Sequence, residues 1–193
     1  MITNGLDILE RMVLAVELVR QRLERAALAL EHAGIPYAVI GGNAVFLWMT
    51  RHGEGGERFT PNVDFLISRA DLAHAAAALK MAGFVGDPER QDLFRDGPNG
   101  SPRTWLRLVF LGEKVRETDL LANPDTACST RIGAFRVLDL PALVQTKLTA
   151  FRIVDQVHLL DLLDVGLIDQ TWTARYPPEL AERLQSLIDD PNG

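Results

Sequence analysis

Leu6, Leu9, Val13, Val16, Leu23, Ala27 and Leu30 recur at helical spacing, so the chain is predicted to open on a long amphipathic helix. Asn4, with Asp7 three residues on, marks its start, and Gly34 stops it. A stripe of this kind covers a core or a partner chain. The period then changes. Tyr37-Ala38-Val39-Ile40 is a short apolar run that ends at Gly41-Gly42, and helical spacing resumes at once from Asn43 to Trp48, which predicts a strand, a tight turn and a helix. After a polar, glycine-rich link, residues 60–67 form a second predicted strand, with Val63 and Phe65 on one face and Asn62 and Asp64 on the other.

Ser68-Arg69-Ala70-Asp71 has the shape of a capping box with Asp in place of Glu, followed by the apolar spacing Leu72, Ala75, Ala76, Leu79 and the terminator Gly83. Turn signals at Asp87-Pro88 and through 96–102 bracket a short strand around 92–94, the makings of a hairpin. Strict alternation over Thr104–Phe110 gives a strand with Trp105, Arg107 and Val109 on one face and Leu106, Leu108 and Phe110 on the other. A last short strand is read at 132–137. From 139 the pattern is helical. One segment has Pro141 in its first turn and the stripe Leu140, Leu143, Val144, Leu148 and Phe151, another ends at Gly166, and two short helices begin at Thr171 and Pro177. The predicted class is therefore α+β with α/β-like alternation, the short helices on one face of the sheet. Residues 1–138 form the core with its long first helix, and 139–193 a C-terminal helical annex.

Composition narrows this little. With 193 residues, of which 47% are hydrophobic and 24% charged, the chain can bury one core with a small appended bundle. A formal net charge of −6 argues against a broad surface for long nucleic acid. Cys128 is the single cysteine, no apolar run approaches the length of a membrane span, and the first residues lack the pattern of a signal peptide, so a reducing cytoplasm is expected. The first helix is the expected surface for a homodimer or a partner protein. Histidines at 32, 52, 74 and 158 are scattered without zinc spacing, and His158 with Asp161 reads as a surface pair. Glu113, Glu117, Asp119 and Asp125 read as solvated acids of a polar link.

Four features carry chemistry. Paired glycines at a strand-to-helix turn let a ligand reach the amides at the helix start, a position that favours anions. Asn62 and Asp64 present two oxygen donors from one strand face. Arg107 is the lone charge on its strand face and could pair with Asp64, hold a phosphate, or point to solvent. Lys147 lies inside an apolar helical stripe, where an ammonium must snorkel or meet an anion.

Gly41-Gly42-x-Ala44, followed about twenty residues later by Asn62-x-Asp64, resembles the nucleotidyltransferase superfamily, in particular its bacterial abortive-infection toxin-like branch. Lys147-x-x-Ala150-x-Arg152-x-x-Asp155 resembles a signature of that branch, as does the ending Asp161-Leu162-Leu163-x-x-Gly166-Leu167. The resemblance implies a mixed sheet flanked by helices and a nucleoside triphosphate whose phosphates meet Gly41, Gly42 and Asn43, with Arg107 and Arg152 as further binding groups. It implies magnesium held by the acids of the second strand, here Asp64 with Asn62 in place of the first acid. Lys147 would face the nucleotide, and Arg152 with Asp155 would lock the helix. The implied activity is metal-dependent transfer of a nucleotidyl group to a hydroxyl, from a site whose carboxylates are reduced to Asp64. The alternative is a non-catalytic or nucleotide-binding scaffold of the same fold.

Overall fold

The computed structural model describes residues 5–54, 60–101 and 103–191, excepting the side chains of 5–9 and 12. The expected helix start at Asn4 and part of the glycine-rich link lie outside the described residues. Helix α1 spans Gly5–His32 and ends where Gly34, at φ 67°, turns the chain so that the Ile35 amide donates to the Leu30 carbonyl. Among its described side chains the stripe is buried from Val19 onward, through Leu23, Ala26, Ala27 and Leu30, whereas Val13, Leu14, Val16 and Leu18 are exposed. Arg22, buried on the same helix, donates to Asp96 Oδ2 at 3.2 Å and to the Pro61 carbonyl at 2.8 Å, anchoring α1 across the sheet edge.

Strand β1 (Ala38–Ile40) runs directly into α2 (Gly41–His52), which begins at the first glycine rather than at Asn43. Strand β2 is Val63–Ile67. The expected capping box is a 3-10 turn at Arg69–Asp71, where Ser68 Oγ accepts from the Ala70 amide, and α3 follows at Leu72–Met81. Then come β3 (Phe84–Gly86), β4 (Leu93–Asp96) and β5 (Trp105–Phe110). The single strand expected at 132–137 is a hairpin, β6 (Ser129–Ile132) and β7 (Phe135–Leu138), because Gly133 at φ 57° and Ala134 reverse the chain inside the run. Helices α4 (Leu140–Ala150) and α5 (Ile153–Asp164), a 3-10 segment at Gln170–Arg175 and α6 (Pro178–Asp189) complete the chain.

All seven strands form one sheet in the order β3-β4-β5-β2-β1-β7-β6. β2 pairs with β5 and β1 with β7 in parallel, and the remaining pairs are antiparallel, giving the mixed sheet flanked by helices. Helices cover both faces rather than one. Phe65 meets Tyr37 edge-on, and the Tyr37 hydroxyl donates to Glu31 of α1, so α1 lies on the Phe65 side. Asp64, on the opposite side of β2, faces residues of α4 and α5. Leu106, Leu108, Val144, Leu148, Leu159 and Leu184 belong to one buried cluster, so α4 to α6 share the core of the sheet. Trp48 Nε1 of α2 donates to the Leu138 carbonyl at 3.0 Å, tying α2 to the end of β7. Trp48→Phe is expected to cost about 1 kcal/mol in urea unfolding, the worth of that hydrogen bond. No helix among the described residues is long and apolar enough to cross a membrane.

Candidate functional site

The register of three neighbouring strands makes the site. Asp64 of β2 sits opposite Ile40 on one side and Arg107 on the other. Residues in register on adjacent strands share a face, so the Asp64 carboxylate and the Arg107 guanidinium meet, with Arg107 Nε donating to Asp64 Oδ1 at 2.9 Å. Ile40 is the last residue of β1, which places the glycine turn over the same carboxylate. Gly41 has φ 72°, and a Cβ there would lie 2.8 Å from Asp64 Oδ2. A Cβ on Gly42 would run into the Thr60 side chain, with Thr60 Cβ at 2.9 Å, and would lie 3.2 Å from His158 Cε1. The glycines are therefore required by side chains of the protein itself, since the space a Cβ would need is already filled.

Asn43 and Asn62 hold the turn from below. Asn43, which is buried, donates from Nδ2 to the Asn62 carbonyl at 2.6 Å, and Asn62 Oδ1 accepts from the Trp105 amide at 3.2 Å. These two bonds fix the start of α2 to β2 and the start of β2 to β5.

Opposite the turn stands the α4–α5 corner. Helix α4 stops at Phe151, which takes the left-handed conformation at φ 45° without being glycine. The corner is braced from outside. Arg183 of α6 donates to the carbonyls of Leu148 and Thr149 at 2.6 and 2.9 Å, with its guanidinium 5.1 Å from the Phe151 ring centre. The kink brings α5 back so that Asp155, 1% exposed, meets Lys147, 4% exposed. Lys147 Nζ donates to Asp155 Oδ1 at 3.0 Å and lies 2.9 Å from His158 Nδ1. Since an ammonium only donates, Nδ1 accepts and the imidazole proton sits on Nε2. Arg152 donates to Asp155 Oδ2 from its amide at 3.2 Å and from Nε at 2.7 Å. Lys147 thus does not snorkel, and His158 is a buried partner of the lysine rather than a surface residue.

The two ends of the buried pair respond differently. Burial alone would raise the Asp155 carboxyl, but hydrogen bonds from Arg152 and the charge of Lys147 outweigh it and hold the group below the ordinary carboxylate range. At Lys147 burial wins over the attraction of Asp155, and the ammonium is held below the ordinary lysine value. Asp155 accepts from two cations, whereas Lys147 is more deeply desolvated, bonds one acid, feels the more distant charge of Asp64 and is repelled by Arg152.

Between turn and corner lies a small cleft, open to solvent, lined by Gly41, Asp64, Arg107, Lys147, Arg152 and Asp155. Gly42, Asn43 and Asn62 stand behind this wall. Asp119 also lines the cleft. The sequence reading places it on a solvated surface, yet it is buried and its Oδ2 accepts from the Arg116 amide at 2.8 Å. The available signal was the apolar run Leu120-Leu121-Ala122 directly after it. Glu117 and Asp125 are exposed, and Glu113 pairs with Arg69.

Magnesium takes oxygen donors in near-octahedral geometry, usually carboxylates. Asp64 is engaged by a guanidinium, Asp155 by an ammonium and a guanidinium, Asp119 by a backbone amide, and the Asn62 oxygen by the Trp105 amide. Among the described residues no three His, Cys, Asp or Glu side chains are grouped to hold a metal ion. The donor set does not fit the ion that the resemblance implies.

A mixed sheet whose first strand passes through a glycine pair into a helix, with an acid of the next strand facing the cleft, has the architecture of nucleotidyltransferases. Among solved structures, a candidate nucleotidyltransferase from H. pylori superposes over 95% of this chain and 79% of its own, with a TM-score of 0.54 and 18% identity. JHP933 from Helicobacter pylori matches over 95% of this chain and 76% of its own, again with a TM-score of 0.54 and 18% identity. ANT(2'')-Ia in complex with adenylyl-2''-tobramycin aligns over 92% of this chain and 98% of its own, with a TM-score of 0.45 and 14% identity. At these identities the likeness is one of fold. No protein-family model and no curated protein matches the sequence.

Proposed function

We propose that this chain binds a nucleoside triphosphate by its phosphates in the cleft between β2, β5 and the α4–α5 corner, and that it is a nucleotidyltransferase of the abortive-infection toxin-like branch with a weakened transfer step. The supporting observation is the Asp64–Arg107 pair at 2.9 Å, facing a wall that holds Lys147 and Arg152. Guanidinium groups bind phosphate oxygens in pairs of hydrogen bonds, and those of Arg107 and Arg152 line this cleft. In the transfer itself an acceptor hydroxyl oxygen attacks the α-phosphorus and pyrophosphate leaves. The one carboxylate of β2 is already engaged, so a proton acceptor for the hydroxyl becomes available only when Arg107 lets go of Asp64. That is the physical reason for a slow reaction. The branch assignment rests on the Lys147 to Asp155 spacing, and the lock between Arg152 and Asp155 fits it.

Full transfer activity is the second reading, favoured by one observation: Asp119 brings a further buried carboxylate to the same cleft. Thermal melting with each of the common nucleoside triphosphates tests binding, and release of pyrophosphate with a panel of hydroxyl acceptors tests transfer. A rise in melting temperature with slow pyrophosphate release is expected. No shift with any nucleotide would remove the reading altogether, and rapid release lost in Asp119→Asn would establish the second one.

A further inference from the structure

Resting on the nucleotide-binding reading above, we infer that the cleft takes polyphosphate as the metal-free anion, with Arg107 standing where an enzyme of this architecture would be expected to place a cation. Because Arg107 faces Asp64 across β5 and β2, the guanidinium occupies the side of the carboxylate that opens to the cleft, at 2.9 Å from Oδ1. The other oxygen, Oδ2, lies beside the Gly41 turn, 2.8 Å from the position a Cβ would take. A metal ion held by both oxygens of Asp64 must therefore displace the guanidinium from Oδ1.

The surroundings oppose that exchange. Lys147 and Arg152 both feel the Asp64 charge, and Arg152 feels Asp119 as well, so these groups form one electrostatic neighbourhood. Arg107, Arg116, Lys147 and Arg152 line the cleft against three acids, Asp64, Asp119 and Asp155. A divalent ion entering at Asp64 meets the guanidinium groups of Arg107 and Arg152, whereas a phosphate oxygen meets them as hydrogen-bond donors. The guanidinium also has somewhere to turn, because Arg107 lines a second hollow that shares Val109, Val115 and Asn123 with the first. Released from Asp64, it presents a planar fork of donors that suits two phosphate oxygens at once, a geometry that neither a lysine nor a solvated ion supplies.

The inference gives Asp64 a sign opposite to that of a metal ligand. As a ligand it would be indispensable to nucleotide binding. As the resting counter-ion of Arg107 it competes with the phosphates. Isothermal titration of the full chain with ATP, and separately with inorganic tripolyphosphate, in EDTA and in excess magnesium, tests this. Both probes are expected to bind in EDTA, with magnesium leaving the affinity unchanged or lower. Asp64→Asn should tighten binding by about threefold to tenfold, and Arg107→Gln should weaken it by at least about tenfold, the range of one charge-assisted hydrogen-bonding partner. Binding that requires magnesium, or that disappears in Asp64→Asn, would overturn the inference while leaving the nucleotide-binding reading in place. No binding of either probe under either condition would overturn both. The comparison between EDTA and magnesium uses the unaltered chain, so it decides the matter even where a variant fails to fold.

Discussion

Asp155→Ala is expected to lower the unfolding free energy by about 3–5 kcal/mol, the cost of removing one partner from a buried ion pair. For a chain of this length that corresponds to a fall of roughly 10 °C in melting temperature. The effect is large because the carboxylate is 1% exposed and serves three donors at once: the Lys147 ammonium, the Arg152 guanidinium and the Arg152 amide. Without it, Lys147 stays buried with an imidazole nitrogen beside it and the positive charge of Arg152 nearby. Replacing the lysine as well, with Lys147→Met, should recover much of the loss, because the uncompensated charge goes with it. Urea unfolding of the two single variants and the double variant measures the coupling. The same carboxylate sets an acid limit. Its folded pKa is depressed, so its contribution is fully present above the ordinary carboxylate value of about 3.9 and is lost as pH falls through the lower folded value. Stability of the unaltered chain should fall below about pH 4, and Asp155→Asn should remove that part of the slope.

Gly41→Ala is expected to cost about 2–3 kcal/mol and to abolish the response to nucleotide. Two penalties combine. A residue with a Cβ is strained at φ 72°, and that Cβ would press on Asp64 Oδ2 at 2.8 Å and take up space at the turn where the phosphates are expected to meet the backbone amides. Gly133→Ala separates the two. It has φ 57°, nothing within 4 Å of the added carbon, and a position in the β6–β7 hairpin. It should cost only the backbone share, about 1–2 kcal/mol, and leave polyphosphate binding unchanged. Melting curves with and without tripolyphosphate read both effects. Equal losses of binding in the two variants would show that the turn matters for stability alone.

The unit from Tyr37 to Trp48 was legible because hydrophobic period changes abruptly at two glycines, a local signal that does not depend on the rest of the chain. Asp64 and Arg107 were each placed correctly on a strand face, but their pairing depends on β5 lying beside β2, a neighbour relation that skips two strands of the sequence order and leaves no local trace. β3 has three residues, too few for alternation to register, and the β6–β7 reversal hides in a run that reads as one strand. The stripe placed Lys147 on the packed face of its helix but left open whether the ammonium snorkels or meets an anion. Its partners were not legible, since the break at Phe151 is made without glycine or proline, and only that break turns the Lys147 to Asp155 spacing into a closed ring of contacts. Asp119 was misread because acids in turn-rich links are usually solvated, whereas here the link folds its acid onto its own Arg116 amide. The glycine pair shows a subtler limit. Its need for small residues was readable, but the crowding groups come from two distant parts of the chain, Thr60 and Asp64 at the second strand and His158 in α5.

The hold of Arg183 on Leu148 and Thr149 makes α6 a brace for the end of α4, although no residue of α6 lines the cleft. A bulky fusion placed against that helix, or a shortened version of the protein lacking it, would let the Phe151 corner relax and swing Arg152 out of position. Preparations made for ligand screening should therefore keep α6 intact, because a protein that still folds without it would present a differently shaped mouth.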